Sequence, residues 1–137
     1  MSARRSGETA MRYARAWCAR VWPEAAVHEA KPSRGKFVRS HDVWGVFDLV
    51  LAPPGLPVIG IQVTTVAPPT EGEPNGHTGN VRARRAKVAA WMRKHKPTVS
   101  AHVVAYVRND CLRIWDYSPA SDKWHEAHPI SLRALGK

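Results

Sequence analysis

Acid is scarce in this chain. Eleven Asp and Glu stand against twenty-one Lys and Arg in 137 residues, a formal net charge of +10. Few of those acids fall in stretches that read as ordered, so the two placed carboxyls of glycoside chemistry find no support. Cysteine is scarcer still. Cys18 and Cys111 lie far apart in apolar contexts, so they read as small packed side chains in a reducing compartment, with no disulfide framework. No C-x-x-C pair exists, and the seven His are scattered. His125 and His128 are three apart, but no second pair completes a zinc site. The chain also lacks a G-x-S-x-G elbow, a Walker A loop and a G-x-G-x-x-G turn. No apolar run approaches the roughly 18 residues of a membrane span. The opening MSARRSGET lacks the apolar core of a signal peptide. A soluble protein acting in the cytoplasm is expected.

What is present suits one globular domain over 1–137, with 1–6 loose. Apolar residues make up 44% of the chain, enough for one core. Surplus positive charge attracts polyanions, nucleic acid being the commonest. No amphipathic helix carries the purely basic face that would favour a membrane surface instead.

Periodicity gives the elements. Ala10, Met11, Ala14, Trp17, Cys18 and Val21 form a stripe at helical spacing. It predicts a helix from a cap at Ser6 or Thr9 to Val21, with Glu8 in the first turn and Pro23 beyond its end. Residues 25–30 read as a short strand. The loop 31–40 carries Lys31, Arg34, Lys36 and Arg39, candidates for contacts to a nucleic-acid backbone. Residues 41–52 (HDVWGVFDLVLA) alternate as a strand apolar on both faces, with Gly45 marking a bend or close approach. Asp48 is the lone carboxylate among its apolar neighbours. Pro53-Pro54-Gly55 turns the chain. Residues 57–66 make the next strand, with Gln62 and Thr64 on one face and Ile59, Ile61 and Val63 on the other. If these two strands pair as a hairpin, Asp48 can share one face with Gln62 and Thr64 near one edge, the register being left open by the sequence.

A Pro/Gly/Asn loop, 67–80, follows. A basic helix is predicted over 80–96, capped by Asn80 and stopped by Pro97. Strands at 98–108 and 111–117 form a hairpin, a short strand covers 123–127, and a short helix 131–135. The order is α-β-β-β-α-β-β, a mixed central sheet flanked by helices, of the α/β or α+β class. Trp44, Trp115 and Trp124 sit on strand-like stretches. Aromatics beside cations either pack the core or stack on unpaired bases.

Asp48, then fourteen residues later a strand carrying Gln62-Val63-Thr64, resembles the core of the PD-(D/E)XK nuclease superfamily. The order of a helix, a β-meander bearing the acids, a helix and a further strand matches as well. DVWGVFD over 42–48, GIQVTT over 60–65 and the basic helix are similar to small phage and prophage-type endonucleases and to Holliday-junction-resolvase-like members. The resemblance covers roughly 8–107 and implies a restriction-endonuclease-like fold and a DNA endonuclease using Mg²⁺ or Mn²⁺.

Carried over by position, Asp48 is the main metal ligand. Gln62 stands at the (D/E) position and ligates through its amide oxygen. The Val63 carbonyl is a third ligand. Thr64 stands where a lysine is usual, and Lys87 on the following helix supplies that charge instead. Glu8 matches a first-helix glutamate that holds a metal-bound water. Arg34, Lys36, Arg39, Arg82, Arg84 and Arg85 would contact DNA, and a homodimer is expected for cutting two strands. Each assignment has a plain alternative: Asp48 as a hydrogen-bonded structural carboxylate, Gln62 and Thr64 as ordinary strand residues, Lys87 as a solvated cation, Glu8 as a first-turn helix acid. Without the strand lysine and the second acid, the same scaffold would serve as a non-catalytic nucleic-acid-binding module. A protein-binding adaptor is a third reading.

Overall fold

The computed structural model describes residues 3–30, 43–66 and 79–136. Helix α1, Ala3–Val21, leads into a mixed sheet through strand β1, Ala26–Glu29. Strands β2, Leu49–Ala52, and β3, Val58–Val66, follow, and helix α2, Gly79–His95, crosses to β4, Val99–Val107. Strands β5, Cys111–Ser118, β6, Lys123–Glu126, and β7, Ile130–Ser131, precede a single 3₁₀ turn, Arg133–Leu135. The sheet runs β1-β2-β3-β4-β5-β6, and β7 pairs with the free end of the same β5 edge. All neighbours are antiparallel except β3 and β4, which α2 joins in parallel. This mixed sheet with a helix on each face bears out the expected class and order.

The two faces hold two separate cores. Ala10, Ala14, Trp17 and Cys18 of α1 pack on Leu49, Leu51, Ile59, Ile61, Val63, Val104 and Ile114. Val81, Val88, Ala89 and Met92 of α2 cover Val103, Ala105, Val107, Trp115 and Tyr117 opposite. Because β3 and β4 are covered on both sides, nearly every residue along them is buried, as a parallel pair requires. Cys18 serves as the small packed side chain expected of it. Burial pushes its thiol up to about 12.

Three local readings are corrected. Helix α1 starts before Ser6, so Thr9 lies inside it rather than capping it. Val21, assigned to the buried stripe, is 47% exposed, because the last turn of α1 projects past the core. The strand expected over 41–52 is only Leu49–Ala52. Residues 43–47 form a tight turn instead, with Val43 and Phe47 exchanging backbone bonds at 2.7 and 3.0 Å. His41 and Asp42 lie outside the described residues. The turn puts Trp44 at φ 55° and Gly45 at φ 75°. Two successive positive φ values are what primed hairpin turns demand. Glycine adopts them freely, whereas the left-handed backbone costs an L residue such as Trp about 1–2 kcal/mol.

The same turn lays the Phe47 ring on the sheet. A methyl added to Gly60 would lie 2.6–2.7 Å from three ring carbons of Phe47, which is fully buried. Gly60→Ala is therefore expected to lower stability by about 1–3 kcal/mol through overpacking, read from urea unfolding. Phe47→Leu should recover part of that loss in the double variant. An unchanged midpoint for Gly60→Ala would show that Phe47 is not fixed there.

On the α1 face, His102 and Asp116 are cross-strand partners. His102 Nδ1 donates to Asp116 Oδ1 at 2.6 Å, and Nε2 faces Ser100 Oγ at 3.2 Å. The bond from His102 holds the Asp116 carboxyl below its ordinary value, against a smaller opposing effect of burial. A depressed folded-state pKa contributes stability at neutral pH that disappears as pH falls through that value. Wild type is expected to lose more stability than Asp116→Asn between about pH 5 and about pH 2. Parallel acid limbs in denaturant titrations would refute the coupling.

Candidate active site

Asp48 sits at a bend immediately before β2. Its N–H donates to the Ile61 carbonyl at 2.9 Å, and its carbonyl accepts from Ala30 N–H at 2.9 Å. Both backbone groups are thus committed, one to β3 and one beyond the end of β1, which fixes where the side chain leaves the chain. The β2–β3 register pairs Leu49 with Ile61, so Asp48 falls opposite Gln62. Its Oδ2 accepts two hydrogen bonds, from Gln62 Nε2 at 2.7 Å and from Val63 N–H at 2.7 Å. The hairpin therefore joins the residues that the sequence reading placed together.

Gln62 is 0% exposed. Its amide nitrogen faces Asp48, while Oε1 is buried with no hydrogen-bond donor among the described residues. A buried acceptor left unpaired costs about 1–3 kcal/mol. Alternate residues of a strand present their backbone groups to the same edge. Ile61 and Val63 both bond toward Asp48, so the Val63 carbonyl opens on that edge as well. Three oxygens from Asp48, Gln62 and Val63 thus belong to one corner of the sheet, where β2 begins and β3 continues past it. Thr64 is buried two residues further along the Gln62 face.

Helix α2 covers that face. Trp91 packs edge-on against Phe47 at 5.4 Å, one residue from Asp48. Lys87 is one helical turn before Trp91, so it occupies the same flank of α2. It is exposed, as is Arg82, and Arg84 is half-buried. Arg85 goes elsewhere: its guanidinium lies 5.4 Å from the Trp115 ring centre, with Nε buried. Arg113 approaches the same ring at 4.8 Å. Glu8 is exposed on α1, the helix that packs on the opposite face from Gln62 and Thr64. Arg34, Lys36 and Arg39 lie outside the described residues.

The donor set decides which ion would suit this corner. Carboxylate, amide and carbonyl oxygens are hard ligands of the kind that hold Mg²⁺ or Mn²⁺. Among the described residues, no group of three His, Cys, Asp or Glu gathers around a point, which leaves Asp48 as the one formal negative charge in this set. Half a turn of the Gln62 amide would exchange its two ends and present Oε1 beside Asp48, an arrangement of two acceptors that only a cation between them would satisfy. The residues fit a hard divalent ion with that one rotation.

No family model matches the chain, and no curated protein matches it. Among solved structures it is similar to Hjc, a Holliday junction resolvase from the archaeal hyperthermophile Archaeoglobus fulgidus. That likeness has 10% identity and a TM-score of 0.41, covering 93% of this chain and 99% of the other. No helix among the described residues is long and apolar enough to cross a membrane.

Proposed function

We propose that the Asp48 corner is the active site of a DNA endonuclease that uses Mg²⁺ or Mn²⁺, a variant PD-(D/E)XK site. The observation that carries this reading is the convergence of Gln62 and Val63 on the Asp48 carboxylate, with an orphaned buried oxygen on Gln62. Asp48, Gln62 Oε1 and the Val63 carbonyl would hold the ion. When bound, such an ion polarises a phosphodiester and lowers the pKa of an attacking water.

The chain's own groups do the rest. Lys87 brings an ammonium from α2 to the side where phosphate charge builds up. The Thr64 hydroxyl orients a phosphate oxygen or a water. Arg82 and Arg84 grip neighbouring backbone phosphates without reading sequence, which makes binding strongly salt-dependent. Arg85 and Glu8 stand outside this set, one turned in on Trp115 and the other on the helix across the sheet.

Cleavage of end-labelled duplex, single-stranded and branched DNA, with Mg²⁺ or with chelator, tests the reading. Products are expected only when metal is present. If all three substrates stay intact at every metal concentration yet shift in gels, the protein is a nucleic-acid-binding module. The single carboxylate and the amide nitrogen facing it are the features that would favour that second reading.

A further inference from the structure

Trp44 is out of place as a core residue. It is 53% exposed, although a large apolar side chain gains most from burial. Its backbone holds the left-handed φ of 55°, where bulky L residues are seldom found. Outliers of this kind are retained where the surroundings enforce them, often at functional sites. Here the turn 43–47 enforces it, and the result is to lift an indole off the surface.

The ring is backed rather than loose. It stacks on Trp91 with centres 5.5 Å apart and planes 17° from parallel. Phe47 meets Trp44 edge-on at 6.2 Å and Trp91 edge-on at 5.4 Å, and Phe47 is itself fixed over Gly60. The platform therefore has a rigid base and a partly solvated top. Its setting is cationic, since Arg84 and Lys87 precede Trp91 on the same flank of α2. Asp48 follows Phe47 directly.

We propose that Trp44 is a stacking platform for an unpaired base, so that the strand reaching Asp48 is single-stranded or part of a branch. Bases inside a duplex are already stacked on each other and offer no face to an indole. Unpaired bases do, and aromatic stacking holds them with little regard to sequence. The cations beside the ring track the backbone of the same strand. The inference deepens the nuclease reading and rests on it for the identity of the substrate.

The test measures binding alone, with chelator present so that no hydrolysis occurs. Fluorescence anisotropy compares a labelled oligo(dT) of about twenty nucleotides with a duplex of equal length, at fixed salt. Trp44→Asn removes the ring but tolerates a left-handed backbone, so the turn survives. Trp44→Tyr keeps a ring at the same φ. Trp44→Asn is expected to weaken oligo(dT) binding roughly tenfold to a hundredfold, with Trp44→Tyr within about threefold of wild type and duplex affinity within about twofold.

Equal losses on both DNAs, no loss on oligo(dT), or no oligo(dT) binding by wild type would each overturn the inference. The two readings fail separately. If Trp44→Asn selectively loses oligo(dT) but the protein never cleaves, stacking stands and the nuclease falls. If the protein cleaves while Trp44→Asn binds and cuts as wild type does, the nuclease stands and stacking falls.

Discussion

Asp48→Asn is expected to lose about three orders of magnitude in the rate of DNA cleavage while staying folded. Asparagine keeps an oxygen that accepts from Gln62 Nε2 and Val63 N–H, so its unfolding free energy from urea titration should change by less than about 1 kcal/mol. What it removes is the negative charge that would hold a cation. Asp48→Ala behaves differently. It strands the Val63 amide and the Gln62 nitrogen, at about 1–3 kcal/mol for each buried donor. Loss of activity in the alanine variant alone would therefore say little. The asparagine variant separates chemistry from scaffold, by single-turnover cleavage rates set beside unfolding curves. Cleavage by Asp48→Asn at the wild-type rate would move the active site elsewhere.

Gln62→Glu carries the second large effect, and it reads metal without reading activity. The substitution puts a second carboxyl where an amide nitrogen now sits 2.7 Å from Asp48. Two carboxylates at that separation cannot both ionise cheaply, so the pair retains a proton to higher pH. A raised folded-state pKa on an acid is destabilising above the unfolded value, so the penalty is present at neutral pH and eases on acidification. Without metal the variant is expected to be less stable than wild type by about 3 kcal/mol, on the order of 10 °C in melting temperature. Millimolar Mg²⁺ should return most of that difference, because an ion that binds only the folded state stabilises it by mass action. Wild type, with one charge at the corner, should respond less. Melting curves with and without Mg²⁺ decide the matter. If Gln62→Glu melts identically in both, the corner does not hold a cation.

Much of this corner was legible in the sequence, and the reasons are local. Pro53-Pro54-Gly55 marks a short connection with Gly55 at φ 73°, so 48 and 62 could share one face if the flanking strands paired, while their meeting depends on the β2–β3 register. The alternation over 57–66, with Ile59, Ile61 and Val63 on one face, read as a strand, and β3 spans Val58–Val66. The basic stretch after residue 79 had helical spacing and a Pro stop, and the helix ends with Lys96 left-handed at φ 44° before Pro97.

Other features were hidden for equally physical reasons. Residues 43–47 alternate like a strand, and Gly45 alone hinted at the turn, since nothing in a tryptophan's own preferences announces a positive φ. Arg85 looked like any surface cation. It turns inward because Trp115 is within reach across the helix–sheet contact. The flank carrying Lys87 is defined by Trp91 meeting Phe47, a tertiary contact with no local signature. The Ser100–His102–Asp116 group depends on the β4–β5 register, which side-chain pattern leaves open.

The most direct test of the central claim is anomalous scattering from crystals of the wild-type protein grown with Mn²⁺. A peak is expected at the start of β2, within ligand distance of the Asp48 carboxylate and the Val63 carbonyl, with the Gln62 amide turned to present Oε1. An empty corner at saturating Mn²⁺, with Gln62 Nε2 still donating to Asp48, would contradict it.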